Sequence, residues 1–218
     1  QSPEPGEVVE WAVVMRRFDQ DRLLDRLAER DGLDAATVDA LAAAVADFHA
    51  NADPVDGGGA EALGWVIAEN AEEFPQSPDL FPPDEAESLS EASKRALDGV
   101  RELLDRRAAD GLVRRCHGDL HLRNVVLLDA GPRLFDAIEF NDAIACIDVL
   151  YDLAFMLMDL DRRGLGRVAN RLLNRYLHDR DDLEGLAALP LFLSLRAAIR
   201  AKVDASALAA QRDEAARD

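Results

Sequence analysis

The run Cys116-His117-Gly118-Asp119-Leu120-His121-Leu122-Arg123-Asn124 decides the reading of this chain, together with Phe135-Asp136-Ala137-Ile138-Glu139-Phe140 and Asp148 with Tyr151-Asp152-Leu153-Ala154. Short apolar runs at Leu112 to Arg115, Val125 to Leu128 and Arg133 to Phe135 predict strands, the last two joined through Asp129-Ala130-Gly131-Pro132. Asp119 then stands on a loop between strands, Asn124 opens the next strand, and the hairpin's far strand presents Asp136 and Glu139. Phosphoryl transfer to an alcohol needs a carboxylate beside the attacking hydroxyl and oxygen ligands for magnesium. Asp119 suits the first role. The amide oxygen of Asn124, with Asp136 or Glu139, suits the second.

Outward from this segment the pattern is helical. Leu23, Leu24 and Leu27 share a face in a segment that Gly32 closes. Asp34 then predicts an N-cap for an Ala-rich helix to about Ala50, with Val38, Leu41, Val45 and Phe48 inward. Gly57-Gly58-Gly59 has no strand before it and no Gly-Lys-Ser/Thr after it, so it reads as a linker and not a phosphate loop. Further helices are expected over 60–73, from Asp84 to Asp110, from Ile147 to Asp161, from Arg167 to His178 and from Leu183 to about Leu208. Val8 to Met15, rich in Val, predicts a strand whose pairing partners do not follow nearby. His49 and His178 fall in helical patterns without evident partners. The fold class is α+β, mostly α.

At 218 residues and 49% hydrophobic, the chain can bury a substantial core as one domain or one large lobe. The net charge of −18 disfavours nucleic-acid phosphates and anionic lipid surfaces, and favours a small cationic substrate. Acids such as Asp47, Asp53, Glu69, Glu72 and Asp159 are available to face one. No apolar stretch reaches the roughly 20 residues of a membrane span, and the start lacks a signal-peptide pattern, so a cytoplasmic location is expected. Cys116 and Cys146 lack metal-site spacing and read as reduced, buried thiols.

His-Gly-Asp, four residues, Asn, a hairpin, an acidic residue and Tyr-Asp-Leu-Ala resemble the aminoglycoside phosphotransferase (APH) family. The segments 117–124, 135–142 and 147–152 are most similar to an uncharacterised bacterial branch often fused to a C-terminal P-loop kinase-like ATP-binding domain. The resemblance implies a protein-kinase-like fold, ATP and Mg as cofactors, and a small-molecule hydroxyl acceptor such as an amino-sugar or sugar. It implies Asp119 as catalytic base, with His117 and Arg123 beside it, and Asn124 as metal ligand. Ile138-Glu139-Phe140 stands where the family usually has Ile-Asp-Phe, which points to Glu139 as the second metal ligand and leaves Asp136 as its rival. Asp152, with Asp148, is expected to support the loop. Nothing in the helices marks an aminoglycoside pocket.

On this resemblance residues 1–17 correspond to a remnant of the small lobe, and 18–218 to the helical large lobe with catalytic loop 116–124 and metal strand 133–140. The small lobe is expected to be largely absent from the chain. Before Asp19 there is no lysine for the α/β-phosphates, so Arg16 and Arg17 are the cations available, though arginine's planar fork differs from a point-charge ammonium. The alternative is a non-catalytic, pseudokinase-like module that acts with a fused or associated P-loop ATP-binding domain. A dinuclear metallophosphatase, to which Gly118-Asp119-Leu120-His121 is also similar, lacks its other ligand segments here.

Overall fold

The computed structural model describes residues 17–30 and 32–215, with side chains to residue 211. The expected strand Val8 to Met15 and Arg16 lie outside the described residues. Helices dominate, and two small antiparallel ladders frame the loop that carries the acids.

After a single 3-10 turn (Gln20–Arg22), α1 runs over Leu24–Arg30 and α2 over Ala35–Asn51. The Asp34 carboxylate accepts the Thr37 backbone N–H at 2.7 Å, satisfying one of the orphan donors at the start of α2. The buried face of α2 is Val38, Leu41, Ala42, Val45, Ala46 and also His49. Next come α3 (Gly59–Glu73) and α4 (Pro83–Ala109), which pack along one another; Pro83 opens α4 where its missing N–H costs nothing.

Strand β1 (Val113–Arg115) leads into the loop, and β2 (Val125–Leu128) leads out of it into β3 (Gly131–Leu134). Leu128 pairs with Gly131, so the hairpin turn is only Asp129-Ala130, tighter than the sequence pattern suggests. Pro132 enters the strand, where this two-stranded ladder asks for no second row of donors.

Two elements are split differently from expectation: the helix expected from Leu183 is a 3-10 turn (Glu184–Ala187) followed by a helix from Leu189, and the second lies at Ile147. The helix expected from Ile147 begins at Val149, because Cys146–Asp148 forms β4, antiparallel to β1 with Val113 opposite Asp148. One edge of β1 bonds the segment at Asp53 and Val55, and β4 satisfies the other edge, which would otherwise be left unpaired. Asp148 ends that strand and caps α6 (Val149–Arg162), its carboxylate accepting the Leu150 N–H at 2.8 Å. A short helix α5 (Asp142–Ala145) precedes β4.

Every residue of α6 from Val149 to Leu160 is buried. Helix α7 (Gly166–Arg180) and helix α8 (Leu189–Ala215) pack against it, and α2 packs against α7. A helix enclosed on all sides must place its polar residues where they find partners. The acids of α6 thereby reach the loop 116–124. Cys116 is buried and both cysteines are free thiols, and no helix among the described residues is long and apolar enough to cross a membrane.

Candidate active site

The loop is held from beneath by a single carboxylate. Asp152, fully buried on α6, accepts the backbone N–H of His117 at 3.2 Å on one oxygen and that of Gly118 at 2.9 Å on the other. His49 on α2 adds its Nε2 at 3.1 Å, and its Nδ1 meets the Tyr176 hydroxyl of α7 at 2.8 Å. With the Nε2 proton directed at Asp152, Nδ1 accepts from Tyr176 and the chain of bonds is complete. Burial works against ionisation of Asp152, but the His49 hydrogen bond and the nearby Arg196 charge help to outweigh it and hold the carboxyl below its ordinary range.

Gly118 makes this approach possible. Its φ of +79° is open to glycine, and a Cβ there would stand 3.1 Å from Ile138 Cγ1 and 3.2 Å from the Ile144 carbonyl. Further along the loop, Leu122 N–H donates to Asp159 of α6 at 3.1 Å, a second anchor about two turns on from Asp152 along the same helix face. His117 is buried. Its Nε2 donates to the Phe135 carbonyl at 2.9 Å, while its own carbonyl accepts the Ile138 N–H at 2.9 Å. It ties the loop to the segment after β3 and has no open face toward a substrate.

Above these anchors Asp119 is partly open, its side chain 37% exposed. Its Oδ2 accepts Asn124 Nδ2 at 2.9 Å and lies 3.3 Å from His121 Nε2; Asn124 Nδ2 also donates to the Asp119 carbonyl at 3.0 Å. Partial burial raises the carboxyl, yet His121 and Asn124 together lower it below its ordinary value, so Asp119 is an ionised acceptor at neutral pH. Because Asn124 spends its amide nitrogen on Asp119, its amide oxygen is free for a hard cation.

The other candidates are placed as follows. Phe135 N–H bonds the Asn124 carbonyl at 3.1 Å, so Asp136, the next residue, leaves the ladder beside Asn124. Asp136 is exposed and holds φ at +61°, a conformation that costs a non-glycine residue energy. Glu139 is exposed and lines a different cavity, of about 840 Å³ between α2 and the hairpin, with Asp47, Asn51 and Arg115 and without Asp119 or Asn124. Arg123 is exposed with Asp25 as its nearest acid at 3.9 Å, and Arg17 is exposed. Asp148 does not bond the loop: Arg107 donates to both its oxygens, at 2.7 and 2.9 Å.

Asp119 lies on the wall of a cavity of about 670 Å³, with His121, Trp65, Tyr151, Phe155 and Arg196 among its lining. This volume suits a small organic molecule. Two supports escape sequence reading. His49 has partners on both ring nitrogens, contrary to expectation, and Asp159 anchors the loop in place of facing a substrate. The available signal was a polar residue on an otherwise apolar helix face, which is costly unless it is bonded. His49, Cys116 and Asp152 bring three ligand atoms within 4.8 Å, but His49 has both nitrogens engaged and burial pushes the Cys116 thiol far up. They form a hydrogen-bonded cluster of the core.

Residues 5–189 match the model of the phosphotransferase enzyme family, APH. Over 225 aligned positions the chain is 29% identical to the uncharacterized protein Rv2004c of Mycobacterium tuberculosis and to its counterpart Mb2027c of Mycobacterium bovis. Each alignment covers 100% of this chain and 45% of the relative, so the chain spans about half the length of the curated relatives it matches. No solved structure matches it significantly.

Proposed function

The chain belongs to the phosphotransferase enzyme family, and from that premise we propose that it carries the catalytic loop of a small-molecule kinase moving the γ-phosphoryl of ATP to an alcohol. The observation that carries the reading is Asp119: an ionised carboxylate, fixed by Asn124 and His121, at the wall of a cavity sized for a metabolite. An alcohol within hydrogen-bond reach of Asp119 is aligned for attack and gives up its proton there. Asn124 Oδ1, just before β2, and the Asp136 carboxylate, just after β3, are hard oxygen donors of the kind that would hold magnesium, which would neutralise phosphate charge. Asp136 is preferred to Glu139 because it adjoins Asn124, whereas Glu139 lines the cavity on the α2 side.

The mostly helical architecture with small antiparallel ladders fits the large lobe of a protein-kinase-like fold, a lobe that would begin at about residue 18. Arg17 is exposed and available to phosphate. The greater length of the relatives leaves room for the P-loop ATP-binding domain that we propose as a fused or associated partner. Full-length protein incubated with γ-labelled ATP, magnesium and a panel of alcohols should release ADP in proportion to phosphorylated acceptor. Nucleotide binding without transfer to any alcohol would point instead to a regulatory module.

A further inference from the structure

The cavity beside Asp119 is lined by three buried residues, two of them only 3% exposed, that each have a polar atom without a hydrogen-bond partner among the described residues. They are Tyr151 at its hydroxyl, Arg196 at Nη2 and His121 at Nδ1. Buried polar atoms are almost always bonded, so three unpartnered ones on a single cavity wall point to a ligand. Arg196 is held ready. Its Nε donates to the Tyr151 carbonyl at 3.1 Å, and its guanidinium carbon lies 4.0 Å from the Tyr151 ring centroid and 5.0 Å from that of Phe155.

The charges around the cavity narrow the ligand's class. Arg200 lies 3.1 Å from Asp204, Lys202 lies 2.6 Å from Glu73, and Arg123 has Asp25 at 3.9 Å. Arg196 makes no ion pair with any described residue. Asp152 senses its charge, but the Asp152 oxygens are taken by His117, Gly118 and His49. One permanently charged guanidinium is therefore left without a carboxylate, in a wall that carries the acids Glu69, Asp204 and Asp119 together with the acid-paired cations Arg123, Arg200 and Lys202. A dianion would meet those acids, and an ammonium would meet the guanidinium; a monoanionic carboxylate satisfies both constraints. The Phe155 ring lies close to both His121 and Arg196, its centroid 5.4 Å from that of the His121 ring and 5.0 Å from the Arg196 guanidinium carbon. A short carbon chain along that ring joins a carboxylate at one end to a hydroxyl at the other.

We propose that this cavity takes a small hydroxy acid, its carboxylate on Arg196 and Tyr151 and its hydroxyl presented to Asp119. The assignment rests on the phosphotransfer reading and narrows it: the long-range field of an acidic protein favours cations, but the buried groups at the site select an anion.

The test measures binding of gluconate and glycerate to the full-length protein by titration calorimetry, beside neutral glucose and cationic glucosamine, with phosphoryl transfer to each followed separately. Tyr151→Phe removes a hydroxyl that bonds nothing among the described residues, and Arg196→Lys keeps the charge but loses the fork. The acids should bind in preference to the other two, and Arg196→Lys should weaken them about tenfold or more, as expected for bonds to a charged group. Tyr151→Phe should raise KM severalfold with kcat nearly unchanged. Equal or tighter binding of glucose or glucosamine overturns the proposal, as does no binding of either acid, or acid affinity unchanged in both variants with their circular dichroism intact. Acid binding that depends on Tyr151 without any phosphoryl transfer would keep this site and overturn the phosphotransfer reading alone.

Discussion

At the scale of single residues, the site depends on one carboxylate that never touches the chemistry. Asp152 fixes the backbone of His117 and Gly118, and through them sets where Asp119 points. Its folded-state carboxyl is depressed, so it contributes stability that is present above the unfolded value of about 3.9 and is lost as pH falls through the lower folded value. Asp152→Asn should therefore cost about 3–5 kcal/mol at pH 7 by breaking a buried charged network. In urea denaturation measured from pH 7 down to 2, the gap between wild type and variant should close as pH drops below about 4. A gap that stays constant to pH 2 would remove Asp152 from this role. At this scale much of the site is legible in sequence: Asp119, Asn124 and Asp152 declare themselves by spacing. His49 and Asp159 do not, because their importance lies in helices brought together from distant parts of the chain.

At the scale of elements, helix starts and stops are legible because capping and periodicity are local. Asp34 and Gly32 bound α2 and the segment before it, and Pro83 opens α4. The strands are less legible. Cys146–Asp148 reads as the start of a helix until β1 is there to pair with it, and the hairpin turn shortens because Gly131 and Pro132 are drawn into the ladder. What holds these elements in register is also non-local. Arg107 on α4 reaches Asp148 at the head of α6 and Asp182 after α7, all three side chains at most 10% exposed. The neighbouring Arg106 pairs with Glu184 at 2.9 Å on the surface. Arg107→Ala leaves two buried carboxylates without their cation and should cost about 3–5 kcal/mol. Arg106→Ala should cost no more than about 1 kcal/mol. Equal losses in chemical denaturation would mean that the buried pairings do not join α4 to α6.

At the scale of the whole molecule, the chain places an ionised carboxylate, a free amide oxygen and an exposed acid around the exit of a small hairpin, above a cavity with unpartnered polar groups. The family membership was legible from the catalytic-loop spacing, since chemistry fixes those residues along a short stretch. The cavity's character was not, because Tyr151, Phe155 and Arg196 come from α6 and α8 and meet only in the folded state. The account's central claim is that Asp119 acts in phosphoryl transfer. The most direct test compares wild-type full-length protein with Asp119→Asn in transfer from γ-labelled ATP, with magnesium-ATP affinity measured alongside. The account predicts transfer by the wild type, a fall in kcat of about 10²- to 10⁴-fold in the variant, and nucleotide affinity unchanged within about twofold. A variant that transfers phosphate at the wild-type rate would contradict it.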